Sequence, residues 1–317
     1  MVTLNPWPEA DPSLMTPAPE HDDIRRVVRD IFDKHGDHDA VRQVVETPAG
    51  HDEGLWGVLC AHMDVPSMAL GEDRGGLGYG LPEQGVVLEE AGRALSPEPL
   101  LSSAVLAVHA LSQVPRTAAT DDLLSAVAGG GVLGALGPLD PAASLTATPR
   151  AEDWCVSGTV ERVLHGATAD ILLLVAATPI GLGMFAVRAD QPGLTVRPHT
   201  VMDTTRRQAR LELHDAKAHR LLDGPDLPRL LVELRDLTTI AVACEHVGMM
   251  DALLSMTKQH LVQREQFGRP LATFQALKHR MADLLVDLER ARSSARYAAR
   301  VFTADPSSVP LAAAVAG

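Results

Sequence analysis

The chain has 317 residues, of which 46% are hydrophobic, enough to fill the cores of two or three domains. Its formal net charge of -13 argues against partners that present phosphate, such as nucleic acid or an anionic membrane surface. No run reaches the roughly 18 to 20 uninterrupted apolar residues of a membrane span, and the first residues are Pro-rich and acidic where a signal peptide is basic and then apolar. The cytoplasm is the expected compartment.

In chain order, residues 1–21 hold several prolines and no periodic pattern, which predicts a flexible lead-in. Residues 22–118 predict a helical domain. The segments "DDIRRVVRDIFDKHG", "EGLWGVLCAHMDVPSMAL", "LPEQGVVLEEAGRAL" and "LLSSAVLAVHALSQV" place apolar residues at helical spacing between Gly and Pro breaks. Residues 119–225 change character after "TDDLLSAVAGG". Short β-rich runs follow, "SLTATPR", "DWCVSGTVERV", "ADILLLVAAT", "GMFAVRAD", "LTVRPHT" and "RQARLELHDAKAHRLL", and they predict a small antiparallel β domain. Residues 226–317 return to helix. There Phe274, Leu277, Met281, Leu284, Leu288, Ala291 and Ala295 repeat in steps of three and four, the stripe of a helical bundle.

Several motif-like features carry no chemistry. "GGGVLG", Gly129 to Gly134, matches G-x-G-x-x-G, but a helical segment precedes it and β runs follow, the reverse of a dinucleotide fingerprint. "GEDRGGLGYG" lacks the Lys-Ser/Thr of a phosphate loop and reads as a loop between helices. His35 with His38, and His214 with His219, lack a third metal ligand nearby. Cys60, Cys155 and Cys244 lie about ninety residues apart, without metal-ligand spacing, and are expected to be reduced. There is no Gly-x-Ser-x-Gly elbow to supply a hydrolytic nucleophile.

The stretch "HLVQREQFGRPLATFQALKHRMADL", residues 260–284, interrupts the helical pattern with an Arg-x-x-Phe-Gly and a Phe-Gln. Together with "GEDRGGLGYGLPEQGVVLEEAGRAL", "WCVSGTVERVLHGATADILLLVA" and "MDTTRRQARLELHDA", it resembles the acyl-CoA dehydrogenase family of flavoproteins over most of the chain. The resemblance implies an α+β fold: an N-terminal helical domain, a central antiparallel β domain and a C-terminal helical bundle. It also implies FAD at a subunit interface. Arg264 would hold the pyrophosphate, which suits a planar guanidinium, Phe267 would pack against the dinucleotide, and Gln275 would hydrogen-bond near the adenine. Without that context, Arg264 is a solvated charge, Phe267 a core residue and Gly268 a helix cap.

The departures from the family pattern bear on mechanism. Where the family has Thr-Glu-x-x-x-Gly-Ser-Asp the chain reads "ALGPLDPAASLTA", with Leu136, Gly137 and Pro141-Ala142-Ala143 in that place. The family's aromatic-x-Thr beside the flavin ring becomes Arg162, Val163 and Leu164. Where some members place the catalytic carboxylate on the first bundle helix the chain has Thr238, a hydroxyl that is no base near neutral pH. Glu245, about two turns on, is a weak candidate base whose plainer role is a buried or interface carboxylate. The chain stops at "PLAAAVAG", where a family member continues for two more helices with a Gly-Gly-x-Gly flavin contact.

A chain that keeps the contacts to a neighbour's flavin and loses those to its own is similar to the short actinobacterial subunits that form α2β2 heterotetramers acting on steroid side-chain CoA thioesters. The expected partner is a paralogous acyl-CoA dehydrogenase subunit, with FAD held mainly by that partner and an acyl-CoA as substrate. Two other readings stay open: a self-sufficient acyl-CoA dehydrogenase, and a flavin-free scaffold subunit.

Overall fold

A computed structural model describes residues 18–137, 139, 145–150 and 153–317. The first helix, α1 (Pro19–His35), starts three residues before the expected Asp22 because Pro19 stands at the first helical position, where a missing N–H is harmless. After α2 (His38–Val44) and α3 (Glu53–Met63), α4 (Leu81–Ala94) is buried along nearly its whole length. The next helix opens with eight residues in π conformation, Leu100–Ala107, and continues as α5 (Val108–Ser112), followed by α6 (Ala118–Ala128). The "GGGVLG" run is the turn after α6: Gly129 caps the helix, and Gly130 takes φ 75° while its carbonyl accepts the Trp56 indole N–H at 2.8 Å.

Seven strands follow: β1 (Gly134–Leu136), β2 (Leu145–Arg150), β3 (Asp153–Leu164), β4 (Ile171–Thr178), β5 (Gly181–Arg188), β6 (Leu194–Pro198) and β7 (Gln208–Asp223). The pairings β2–β3, β3–β7, β7–β5 and β5–β4 are antiparallel, and a single parallel bridge, Thr146 to Ala177, brings β2 beside β4 to close a barrel. β1 also joins β4 in parallel, with Gly134 opposite Ile171. The sheet is therefore antiparallel except where β1 and β2 meet β4.

β4 shows why "ILLLVA" is apolar at every position. Leu172, Leu174 and Ala176 point into the barrel with Val156, Phe185 and Leu211, while Ile171, Leu173 and Val175 point to the helical core. Successive strand residues face opposite ways, so a strand covered on both sides loses its alternation.

Helix α7 (Asp226–Gln263) and helix α8 (Gln275–Ala304) form the C-terminal pair, with α9 (Val309–Ala316) laid against both. The crossing of α7 with α4 depends on glycine. A Cβ on Gly92 would sit 2.0 Å from the Glu245 carbonyl oxygen, and one on Gly248 would sit 1.7 Å from that of Glu89. The two backbones touch directly, and this contact sets where the carboxylates of α4 and α7 emerge. By length and composition α7 could cross a membrane, yet its first two thirds are packed among α4, α8 and α9. The apolar stripe on α8 is fully buried at Leu288 and Ala295 and half-buried from Phe274 to Leu284, so the outer half of the α7–α8 hairpin is the less covered one.

Candidate flavin-contact site

The hairpin tip places all three residues that the resemblance singled out. α7 ends at Gln263, and Arg264 leaves the helix in extended conformation while its N–H still donates to the His260 carbonyl at 2.8 Å. Two short strands, β8 (Glu265–Gln266) and β9 (Arg269–Pro270), then pair antiparallel around Phe267 and Gly268. Both turn residues are left-handed, φ 57° and 76°, the requirement of a type I′ hairpin. Gly268 meets it without strain, but Phe267 is a bulky residue in a region that disfavours one. Gly268 is thus a turn residue and not a helix cap.

Phe267 is also 88% exposed, although its ring stands edge-on to Phe274 at 6.0 Å. Arg269 lies over the face of Phe274 with its guanidinium carbon 4.2 Å from the ring centre. Gln275 begins α8 and is exposed, its amide 3.5 Å from the His279 ring nitrogen. Arg264 and Phe267 thus lie on one exposed turn, and the exposed Gln275 follows it at the start of α8. Arg269 belongs with them and was missed by motif reading, although local charge reveals it. Between positions 258 and 280 the chain carries Lys258, Arg264, Arg269, Lys278 and Arg280 against Glu265 alone, on a molecule of net charge -13.

Glu245 occupies a different setting. It is buried and ion-paired with Arg206, which comes from the loop before β7. The Arg206 guanidinium also donates to the Ser96 carbonyl at 3.0 Å, and Ser96 in turn donates to Glu98. Burial drives the Arg206 pKa down and pushes the Glu98 carboxyl up. His165 completes this junction, its Nδ1 2.8 Å from the Ser102 hydroxyl and its pKa driven down to about 3, first by burial and then by the charge of Arg206. Arg207, next along, reaches the carbonyls of Pro48 and Thr47 at 2.9 and 2.7 Å, and that of Val45. The cluster ties the N-terminal helices, the barrel and α7 together. No motif in the sequence marks it, because its members come from five separate segments.

The positions expected to face this chain's own flavin are apolar or turned away. Leu136 is buried at the end of β1, and Leu164 packs half-buried against the helical core. Val163 fills the barrel interior, and Arg162 stands exposed at a β-bulge with φ 59°. Pro141, Ala142 and Ala143 lie outside the described residues. The Thr238 hydroxyl donates to the Leu234 carbonyl of its own helix at 2.6 Å.

A family model for the acyl-CoA dehydrogenase C-terminal domain matches residues 235–316. Among curated proteins, the chain is 34% identical to acyl-CoA dehydrogenase IpdE2 of Mycobacterium tuberculosis, over 88% of this chain and 75% of that one. It is 31% identical to acyl-CoA dehydrogenase FadE27 of the same organism, over 87% and 74%. Among solved structures, a variant of the Tcur3481-Tcur3483 steroid ACAD superposes with a TM-score of 0.82 at 33% identity, covering 94% of this chain and 81% of that one. The ChsE4-ChsE5 complex from Mycobacterium tuberculosis gives 0.85 at 28% identity, over 95% and 82%. The chain belongs to the acyl-CoA dehydrogenase family, whose members are FAD-dependent oxidoreductases.

Proposed function

We propose that the chain is one subunit of a heteromeric acyl-CoA dehydrogenase, an α2β2 assembly with a paralogous chain, and that it completes a FAD site held mainly by that partner. The observation that carries the reading is the exposed, cationic and aromatic hairpin turn on an otherwise acidic chain. Its donor set suits a dinucleotide: a planar guanidinium for the pyrophosphate, aromatic rings for stacking and an amide for a base edge. Such groups, set in solvent at the end of a helical hairpin, are available to a neighbouring molecule.

When bound, the flavin supplies the hydride acceptor for α,β-desaturation of an acyl-CoA thioester. This chain's residues would orient and neutralise the dinucleotide. At the family's position on the first bundle helix the Thr238 hydroxyl is engaged with Leu234, and the weak candidate Glu245, two turns on, is engaged with Arg206. Leu136, Val163 and Leu164 give a flavin ring on this chain no polar side chain. The acyl group is proposed to be a steroid side-chain CoA thioester, from the likeness to the Tcur3481-Tcur3483 steroid ACAD.

Absorbance near 450 nm tests the reading. The chain purified alone should be colourless, and flavin should appear on co-expression with a paralogue from a neighbouring gene. A yellow homomer with one flavin per chain would show a self-sufficient enzyme, and a partner already saturated with flavin in its absence would show a scaffold role. In the assembled complex, Arg264→Ala should weaken flavin binding by roughly thirtyfold to a thousandfold, and Arg264→Lys should restore only part of it. Glu245→Gln should change turnover less than about tenfold if the base resides on the partner.

A further inference from the structure

A cavity of about 220 Å³ opens between the start of α4, helix α5, the first turns of α7 and the end of α8. None of the residues proposed to meet flavin lines it. Its floor is apolar, built from Leu70, Val105, Val108 and Leu237. Its polar lining comprises the hydroxyl residues Tyr79, Ser112 and Thr303 together with Gln84, His109 and Glu233. Gln84 is 5% exposed, and its amide nitrogen reaches the Ala104 carbonyl only at 3.4 Å. Glu233 takes a hydrogen bond from His109 Nε2 at 2.7 Å on one carboxylate oxygen. That bond holds its carboxyl below the usual range, so the group is an ionised acceptor.

Two further observations mark the cavity as built. The His109 ring is fixed from behind by Phe302, with centroids 5.5 Å apart. The wall that carries Ala104 and Val105 is the π-helical segment, a rare conformation that collects at functional sites. An apolar cavity of about 150 Å³ holds benzene. This one therefore has room for a six-membered ring with a short polar arm.

We propose that this cavity is a binding site for a small, mostly apolar alcohol, with its ring on the Val105, Val108 and Leu237 floor and its hydroxyl donating to Glu233. Hydroxyls of Tyr79, Ser112 and Thr303 also line the cavity, but on its buried side the second Glu233 oxygen and the Gln84 amide oxygen are acceptors that a ligand hydroxyl can serve as a donor. An ammonium is the poorer fit: His109 already faces the carboxylate, and the floor would strip water from a charge without replacing it.

The test uses the full chain, with its partner if the two purify together, and two probes, benzyl alcohol and toluene, titrated by NMR. Benzyl alcohol should bind saturably and about three- to tenfold more tightly than toluene, the margin of one hydrogen bond. Val108→Phe and Ser112→Phe, which fill the cavity from two positions on α5, should abolish binding of both probes. Because Val108 is buried, the Ser112 variant serves if the other fails to fold, as judged by melting. Glu233→Met should leave toluene unchanged and remove the preference for the alcohol. Equal affinity for the two probes, no saturable binding of benzyl alcohol, or binding unaltered in the cavity-filling variants would overturn the proposal.

Discussion

Arg206 and Arg264 are the same residue used in opposite ways. Arg206 lies in the junction of the helical domain, the barrel and α7, where Glu245 and the Ser96 carbonyl take up its donors. Arg264 lies at the end of the hairpin among exposed residues. An arginine enclosed by its own chain is a fastener, because its charge is matched before any ligand arrives. One set in solvent beside an exposed Phe267 leaves its fork accessible from outside the chain. The difference lies in which elements the fold brings up to each side chain.

Arg206→Ala should have the largest effect on stability. It strands the buried Glu245 carboxylate, a loss of about 3–5 kcal/mol for breaking a buried pair, measurable by urea denaturation. A change under about 1 kcal/mol would show that the junction is no fastener.

Lowering the pH should loosen the same region. The unfolded chain takes a proton on His165 below about pH 6.5, whereas the folded chain refuses it down to about 3. The unfolded state therefore binds more protons in that window, and stability falls as pH falls, by about 1.4 kcal/mol per pH unit at the steepest. Glu98, whose carboxyl is raised by burial, works in the opposite sense near and above its ordinary range and offsets part of the loss. Stability curves between pH 7 and 5 for the parent chain and for His165→Asn should diverge, the variant being flatter.

Gly50→Ala sharpens the comparison at Arg207. Gly50 takes φ 70°, and a Cβ there would lie 2.5 Å from the Arg207 guanidinium, which holds the Pro48 and Thr47 carbonyls. The strain and the displaced arginine should lower stability by about 1–2 kcal/mol in thermal melts. The smallest change belongs to the tip. Arg264→Ala should alter the stability of the chain by less than about 0.5 kcal/mol, even where it strips flavin from the complex. A large destabilisation would make Arg264 a second fastener and dissolve the contrast.

The element types were legible because each has a local cause. Helical periodicity in "DDIRRVVRDIFDKHG" and the strand-like runs from "SLTATPR" to "RQARLELHDAKAHRLL" appear as α1 and as β2 to β7. The Arg-x-x-Phe-Gly run was also readable, and the structure sets Arg264 and Phe267 on one turn with Gln275 at the start of the next helix. Other features were not. The π-helical stretch at Leu100–Ala107 follows the same apolar spacing as an α-helix, and the parallel placement of β1 on β4 depends on pairing between segments far apart in sequence.

By itself the sequence determined the kind of each element, the family to which the chain belongs, the cationic bias of residues 258–280 and the lack of a carboxylate at Thr238, because these follow from residue identity and near-neighbour spacing. Only the tertiary structure decided that Glu245 belongs to Arg206, that His165 is shut away from protons and that Gln84, His109 and Glu233 share one cavity. Burial and charge pairing act through space between residues distant in the chain. Those distances exist only once α4 and α7 close on Gly92 and Gly248 and the barrel docks beside them.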